Sequence, residues 1–487
     1  MEINDNNTQN YTAIIECGNF KIGAIECSLI ISKNYNADNE IHLLFNEKIP
    51  DQISYNNSPF KIIGHRYNII GTLIETFIIE NAHQKSVSET ILPNHEVKRE
   101  LVLLPEDVYI ISGNLTCSPS NALVMFNINK APVLSPNIST DTDINGNIIR
   151  KRTWQPKINI DQDNTIHGDL FYNIKEDKYE TVMQPYQVLT LDFNVDSEAQ
   201  IPEKINIDYL LKIDDMLTLA SFAQAGKIRC SGWTVFSINN CFRYYRNNTF
   251  KVDDIRDFRV GIIKKDEIET FLNRSLVIYQ SSRFKESITR AINAVITNND
   301  TIVELSFLTM FQALESLVIT YKRLDGTEYI IDITRWDELK TKIKFSLKEC
   351  LLNELTPKEI KKMQGKISEL NRPSLKNSFE SMEKSLNLQI EEFWPIFDTE
   401  DIIGLASIRN MLAHGESFPT NVLPGILLAH ACLQSCLARI ILNLLQWPVE
   451  ETELSKNSFH SSFYTDGTAI RMQKELTEFI RTPKTPS

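Results

Sequence analysis

The stretch Leu427-Leu-Ala-His-Ala-Cys-Leu-Gln-Ser-Cys-Leu-Ala-Arg-Ile-Ile-Leu442 decides the fold of the second half of the chain. It is apolar nearly all round, and a helix of that kind is buried on every side. The helical spacing extends over residues 422–447, which we predict to be the central buried helix of a helical domain. His430 within it is expected to be a core histidine whose ring nitrogens are satisfied.

The sequence on both sides of this helix supports an all-α domain. From about residue 254 onward, apolar side chains recur at intervals of three or four, which is the period of helices. The predicted helices span 266–296, 301–321, 336–355, 357–370, 374–388, 399–414 and 422–447. We predict an all-α domain over residues 254–448, followed by a polar C-terminal extension, 449–487, with one helical pattern near residues 469–480.

The first half of the chain has a different pattern. Short β-branched and aromatic runs occur at residues 11–15, 40–45, 67–74, 107–111 and 122–126, and clusters of Asn, Asp, Gly and Pro separate them. Such alternation is typical of antiparallel strands joined by turns. One helical pattern, over residues 207–222, interrupts it. We therefore predict an α+β protein whose N-terminal domain, residues 1–253, is β-rich.

Composition narrows the class of protein. The chain has 487 residues and a formal net charge of −12, so it lacks the broad basic surface of proteins that coat nucleic acid non-specifically. No uninterrupted apolar run reaches the ~18 residues of a membrane span, and the first ten residues do not resemble a signal peptide. These features predict a cytoplasmic protein without a membrane partner.

The eight cysteines are scattered and include no Cys-x-x-Cys pair, so we predict neither a metal nor another cofactor. Two cysteine pairs leave a question open. Cys230 and Cys241 are candidates to face each other across a hairpin, and Cys432 and Cys436 are one helical turn apart.

The candidate site is the heptad Arg409-Asn-Met-Leu-Ala-His-Gly415. Five helical steps separate Arg409 from His414, a rotation of roughly 140°, so their side chains diverge, whereas Asn410 and His414 share a face. One helix therefore forms an incomplete phosphate site, which a second copy related by a two-fold axis would complete. Gly415 predicts that the helix stops just after His414, where the helix dipole favours an imidazolium ion.

The residue types fit metal-independent RNA cleavage. Arginine binds phosphate oxygens in a bidentate manner and stays charged at any working pH. Histidine both accepts and donates a proton near neutrality. In such a reaction the RNA 2′-OH attacks the neighbouring phosphate, His414 transfers protons, and Arg409 stabilises the charge of the phosphorane.

These residues resemble a known family. Arg409, Asn410 and His414, together with an upstream helix containing Phe311-Gln-Ala-Leu-Glu315, resemble the HEPN superfamily and its ApeA-like branch of anti-phage proteins. The resemblance implies an RNA-cleaving homodimer that causes growth arrest or abortive infection after a phage-derived trigger is sensed, with the β-rich domain as a sensor or regulatory domain. Glu315 is then a candidate to orient Arg409 or His414, although a structural ion pair explains it equally well.

Two other functions of the whole protein remain open: a regulatory protein that binds RNA or nucleotide without cutting it, and a scaffold in which the helical domain only dimerises.

Two sequence features bear on RNA binding. The segment from Lys340 to Lys376 is locally basic, and either guides RNA or is a solvated helix face. Phe242-Arg-Tyr-Tyr-Arg246 either stacks bases or is an ordinary strand with alternating burial.

Overall fold

The computed structural model describes residues 5–17, 20–33, 39–45, 59–91, 97–113, 120–142, 148–176, 181–195, 200–237, 240–247, 261–296, 302–351, 354–416, 418–452, 454 and 467–482. The protein is a mixed α+β chain with a β-barrel-rich N-terminal region and a helical C-terminal region. Its two compact units are Met1–Gly261 with Lys265–Leu276, and Ile262–Lys264 with Val277–Ser487. The predicted boundary between residues 253 and 254 lies outside the described residues.

The first unit is built on antiparallel strands, as the alternating sequence pattern predicts. The strands are β1 (Asp5–Cys17), β2 (Phe20–Lys33), β3 (Asn39–Phe45), β4 (Phe60–Tyr67), β5 (Leu73–Ile91), β6 (Val97–Pro105), β7 (Asp107–Gly113), β8 (Ser120–Ile128), β9 (Asn137–Thr142), β10 (Ile148–Trp154), β11 (Lys157–Asn159), β12 (Thr165–Glu176), β13 (Thr181–Val195), β14 (Cys230–Phe236) and β15 (Asn240–Arg246). A short helix, Ile201–Lys204, continues through a π-helical segment, Ile205–Leu210, into α1 (Leu211–Ala223).

Six of the strands close into a barrel. The order β5-β4-β1-β2-β3-β6 returns to β5, because the second half of β5 pairs with β6, which also pairs with β3. Alternate residues of β1, namely Tyr11, Ala13 and Ile15, point into the buried core of this barrel. Closure leaves these strands no free edge within the ring. From β7 the sheet continues through β15, β14, β8, β13 and β12 to β11.

The prediction of one strand over residues 67–74 is wrong, because this segment is the turn of the β4–β5 hairpin. The side chain of Asn68 accepts hydrogen bonds from the backbone N–H groups of Ile70, at 3.1 Å, and Thr72, at 2.8 Å. An asparagine that satisfies backbone donors in this way favours a turn over a strand. Ile69 and Ile70 are consequently fully exposed at the hairpin tip.

The second unit is helical. Its helices are α2 (Ile268–Ser281), whose first residues belong to the first unit, α3 (Lys285–Ile296), α4 (Val303–Asp325), α5 (Ile333–Leu351), α6 (Pro357–Lys366), α7 (Leu375–Leu386), α8 (Leu405–Ala413), α9 (Leu423–Leu444) and α10 (Thr468–Arg481). Helix α9 contacts α3, α4 and α10, and most of its residues are buried. It is the central helix that its apolar sequence predicts.

Two predicted helices are shorter than their apolar spacing suggests. The single helix expected over 266–296 is two helices, α2 and α3, separated at Ser282, whose hydroxyl accepts a hydrogen bond from the N–H of Phe284 at 3.0 Å. The helix expected over 399–414 begins only at Leu405. The predicted extension beyond residue 448 does contain a helix, α10, and α10 packs on α9 within the second unit.

Helices α4 and α9 are long and apolar enough to cross a membrane, judged by length and composition alone. In the α9 window 78% of the residues are buried inside the protein, and in the α4 window 44% are. Core helices of soluble proteins meet the same two criteria, so these helices alone do not indicate a membrane protein. The cytoplasmic location stays a prediction.

Candidate functional site

Helix α8, which carries the candidate heptad, is held firmly at its N-terminal end. The carboxylate of Asp398 accepts hydrogen bonds from the N–H of Gly404, at 2.6 Å, and the hydroxyl of Ser407, at 2.8 Å. A side chain at Gly404 would not fit, because its Cβ would lie 2.3 Å from the backbone carbonyl carbon of Phe397. The residues before α8 thus fix where the helix begins and the direction in which it runs.

The C-terminal end of α8 is a Schellman motif, as Gly415 predicts. The N–H of Gly415 donates to the carbonyl of Leu412 at 3.0 Å, and the N–H of Glu416 donates to the carbonyl of Met411 at 3.1 Å. Gly415 has a φ of 76°, in the left-handed region that favours glycine. His414 occupies the C-cap position itself. The imidazole therefore stands at the negative end of the helix dipole.

Arg409 is directed toward helix α4. Its Nη2 lies 3.0 Å from Oε1 of Glu315, and its guanidinium carbon lies 5.8 Å from the centre of the Phe311 ring. Its Nη1 donates to Oδ1 of the adjacent Asn410 at 3.0 Å. The structure thus brings together Arg409, Asn410 and Glu315. Of the two partners predicted for Glu315, it pairs with Arg409 and not with His414.

His414 is not part of this cluster. Its side chain is exposed, like that of Asn410, and within the described part of the chain no hydrogen bond to its ring is present. The side chains of Arg409 and His414 thus lie in different surroundings, as the helical rotation between them predicts. A single chain presents an arginine anchored on α4 and a solvent-facing histidine at the end of α8.

Other sequence candidates have structural roles. His430 on α9 accepts or donates a 2.6 Å hydrogen bond through Nε2 with the hydroxyl of Ser306 on α4. In β15, Phe242, Tyr244 and Tyr245 are buried, and Arg246 makes two hydrogen bonds to Asp214, of 3.0 and 2.9 Å. These strand residues are therefore not a platform on which bases stack.

The structure separates the first cysteine pair and places the second within the core. Cys230 and Cys241 do not face each other, because in the β14–β15 register Cys241 lies opposite Phe236. Cys432 and Cys436 are both buried on α9, where burial raises the pKa of the Cys436 thiol above its usual range. A neutral buried thiol is unreactive, so a core role fits this pair.

Two residues of the site environment were missed from the sequence. The sequence indicates Phe311 only as part of a motif, although its ring lies under the Arg409 guanidinium. Asp398 lies six residues before the N-cap residue Gly404, so its contact with the start of α8 has no local signal in the sequence. Both act on residues that are distant in sequence or separated from them by an irregular loop.

Among the described residues, no group of three or more His, Cys, Asp and Glu side chains is arranged to hold a metal ion. Comparisons with known proteins add no identification: no family model matches the chain, and neither a curated protein nor a solved structure matches it.

Proposed function

We propose that the helical unit is a HEPN-like endoribonuclease domain that cleaves RNA without a metal ion, in an effector of anti-phage defence. The observation that carries this proposal is the end of helix α8. There an arginine fixed by Glu315 and Asn410 and a solvent-facing histidine at the C-cap occupy the last two turns of one helix. This is the minimal pair of groups for phosphate binding and proton transfer.

In the proposed reaction, the RNA 2′-oxygen forms a bond to phosphorus as the bond from phosphorus to the 5′-oxygen breaks. The proton of the 2′-OH leaves to a base, and a second proton is delivered to the departing 5′-oxygen. His414 is suited to either transfer, and Arg409 stabilises the negative charge that develops on the phosphorane oxygens. The products are a 2′,3′-cyclic phosphate and a 5′-hydroxyl.

The two proton transfers occur on opposite sides of the phosphorus, which favours two histidines over one. We therefore propose a homodimer whose two α8 helices face each other and contribute two arginines and two histidines. Exposed apolar side chains on α4, which contacts α8, and on α9, which contacts α4, support this arrangement. Ile302 and Leu305 at the start of α4 are 72% and 55% exposed, and Leu427 on α9 is 48% exposed.

The test is incubation of the purified protein with total RNA in the presence of EDTA, with and without extract of phage-infected cells. Cleavage that resists EDTA and is lost in His414→Ala supports the proposal. His83→Ala is the matched control, since His83 is an exposed histidine of the first unit. Its substitution is expected to leave cleavage unchanged. Toxicity on overexpression that Arg409→Ala relieves is a second readout.

One observation favours a second candidate function, a regulatory protein that binds RNA or nucleotide without cutting it. The guanidinium of Arg409 is already paired with Glu315, and this ion pair is compatible with a purely structural role in which it links α8 to α4. The same assay separates the two functions. RNA binding without cleavage, with and without infected-cell extract, supports the second candidate.

We propose that the β-rich unit is the sensor and that a phage-derived protein is its trigger. The β4–β5 hairpin supports this role, because its tip presents Ile69 and Ile70, which are 105% and 85% exposed, on a turn ordered by Asn68. Contiguous exposed apolar surface is a feature of protein-binding sites. Replacing both isoleucines by serine should abolish activation by infected-cell extract while leaving the melting temperature unchanged.

A further inference from the structure

The lysine hairpin, residues 331–351 and 354–371 of the second unit, buries little of its surface. Helix α5 buries only Trp336, and α6 buries only Ile360. The two helices contact each other, and the side chain of Gln364 on α6 donates to the backbone carbonyl of Lys344 on α5 at 3.1 Å. These two helices therefore contribute little to the hydrophobic core, and burial of apolar surface does not account for their presence.

The base of the hairpin is closed by one buried residue. Asn371 is 2% exposed, and its side chain accepts from the N–H of Ile331 and donates to the carbonyl of Ile331, each at 2.8 Å. Its backbone carbonyl accepts from the N–H of Ile330 at 2.9 Å. Thr356 and Glu359 cap the start of α6 with a reciprocal capping box. The hairpin is thus an ordered element with fixed ends.

The central part of the hairpin, residues 340–366, concentrates positive charge on an acidic protein. Between residues 340 and 366 there are eight lysines and three glutamates, in a chain whose net charge is −12. Within the described residues, none of these lysines has a carboxylate within 4.0 Å. The lysines are Lys340, Lys342, Lys344, Lys348, Lys358, Lys361, Lys362 and Lys366. An unneutralised basic surface of this kind attracts a polyanion.

Exposed apolar side chains lie among the lysines. Phe345, next to Lys344, is 62% exposed, and Met363, next to Lys362, is 43% exposed. Lysines that follow a phosphate backbone, combined with an exposed aromatic ring on which a base stacks, are the combination by which proteins bind single-stranded nucleic acid. A duplex, whose bases are already stacked, would leave Phe345 without a partner.

We propose that the lysine hairpin binds single-stranded RNA, with its lysines on the phosphates and Phe345 stacked on a base. The inference rests on the proposed ribonuclease function, for which it supplies a substrate-binding surface outside the candidate site. It also explains how RNA binds to a protein with a net charge of −12, because the electrostatic attraction for the RNA phosphates is confined to the lysines of this one element.

The test is fluorescence anisotropy with labelled polyuridine at several salt concentrations. Every protein is full-length and carries His414→Ala, so that the probe is not cut. The hairpin variant has Lys358, Lys361, Lys362 and Lys366 replaced by Gln. A matched control has Arg283, Arg290, Lys384 and Lys474 replaced by Gln, which removes four exposed positive charges elsewhere in the same unit.

The hairpin variant is expected to bind RNA at least tenfold more weakly. The slope of log K against log salt should become shallower by about 0.7 for each phosphate that a lysine no longer neutralises, or about 2.8 for four. Phe345→Ala should weaken binding by about tenfold without changing the slope, because stacking releases no counterions. The control variant should retain the affinity and slope of the parent protein.

Unchanged RNA affinity and slope in the hairpin variant would overturn the inference. So would a hairpin variant that loses binding to vesicles containing anionic phosphatidylserine but keeps its RNA binding, because the hairpin would then be a membrane-binding element. Failure of the ribonuclease proposal is distinguishable: it would appear as absent cleavage by the wild-type protein, whereas this binding measurement never requires cleavage.

Discussion

Arg409 on α8 and Glu315 on α4 form an ion pair in which Nη2 and Oε1 are 3.0 Å apart, and their side chains are 32% and 24% exposed. The pair joins two helices that lie far apart in sequence. Glu315 orients the guanidinium. Because both side chains keep access to water, the guanidinium N–H groups that do not contact Glu315 remain available to bind a phosphate.

Arg409→Ala should separate function from stability. A partly exposed ion pair contributes at most about 1 kcal/mol to the free energy of unfolding, whereas loss of a group that stabilises a transition state lowers kcat by roughly 100- to 1000-fold. Urea unfolding and RNA cleavage rates measure the two effects. Arg409→Ala with undiminished cleavage would show that this arginine is only a structural link.

Glu315→Gln tests whether Glu315 is a positioning residue. The substitution preserves the shape of the side chain and one acceptor oxygen but removes its charge. We expect kcat to fall by about tenfold while KM changes little, because the guanidinium is still present but less well oriented. A change confined to KM would instead indicate that Glu315 affects RNA binding.

Gly415→Ala should shorten or distort the end of α8. A Cβ at Gly415 meets no atom within 4 Å, so the cost comes from the backbone φ of 76° alone, and is about 1–2 kcal/mol. Cleavage should fall as well, because His414 is the C-cap residue. Gly365→Ala on α6 is the matched control: Gly365 also has open space around it but is helical, so alanine should stabilise by about 0.5–1 kcal/mol.

Heterodimers test the proposed composite site. One subunit would carry Arg409→Ala and the other His414→Ala, with different affinity tags for purification of the mixed species. If the site draws on both subunits, the heterodimer retains one arginine and one histidine across the interface and regains part of the cleavage that both homodimers lack. A heterodimer as inactive as its parents would show that one arginine and one histidine shared across the interface are not enough for cleavage, and would contradict this prediction.

The stability of the first unit should depend on Asp161 in acid. Burial alone would raise the pKa of Asp161, but hydrogen bonds from Lys212, Asn164 and the backbone of Asp163 outweigh it and lower that pKa from 3.8 to about 2. Since the folded-state pKa is depressed, the stabilisation is present above about pH 4 and is lost as the pH falls toward 2. Denaturation followed from pH 5 to 2 should be less pH-dependent in Asp161→Asn than in the parent protein.

Local patterns in the sequence predicted the secondary structure better than the connections between elements. The apolar circumference of α9 and the glycine after His414 each act within a few residues, and both predictions are confirmed. The apolar residues Ile69 and Ile70 predict a strand where the structure has the turn at Asn68, and their side chains are exposed. Barrel closure depends on the pairing of β5 with β6 and of β6 with β3, and sequence alternation does not specify which strands pair.

In the candidate site, too, features within one helix were predictable from the sequence, whereas contacts between elements were not. The divergence of Arg409 and His414 follows from helical rotation and was predictable. The contact of Arg409 with Glu315 was only one of two options, since the sequence does not indicate which face of α4 meets α8. The roles of Phe311 and Asp398 depend on tertiary packing and on the irregular loop before α8, so neither could be predicted from periodicity.

The chemical groups at the ends of the cleaved RNA are the most decisive test of the proposed reaction. A defined single-stranded RNA would be incubated in EDTA with the wild-type protein, and with infected-cell extract where activation is needed, before its termini are analysed. We expect 2′,3′-cyclic phosphate and 5′-hydroxyl ends that are absent with His414→Ala and present with His83→Ala. Ends bearing a 5′-phosphate, or cleavage that persists in His414→Ala, would contradict it.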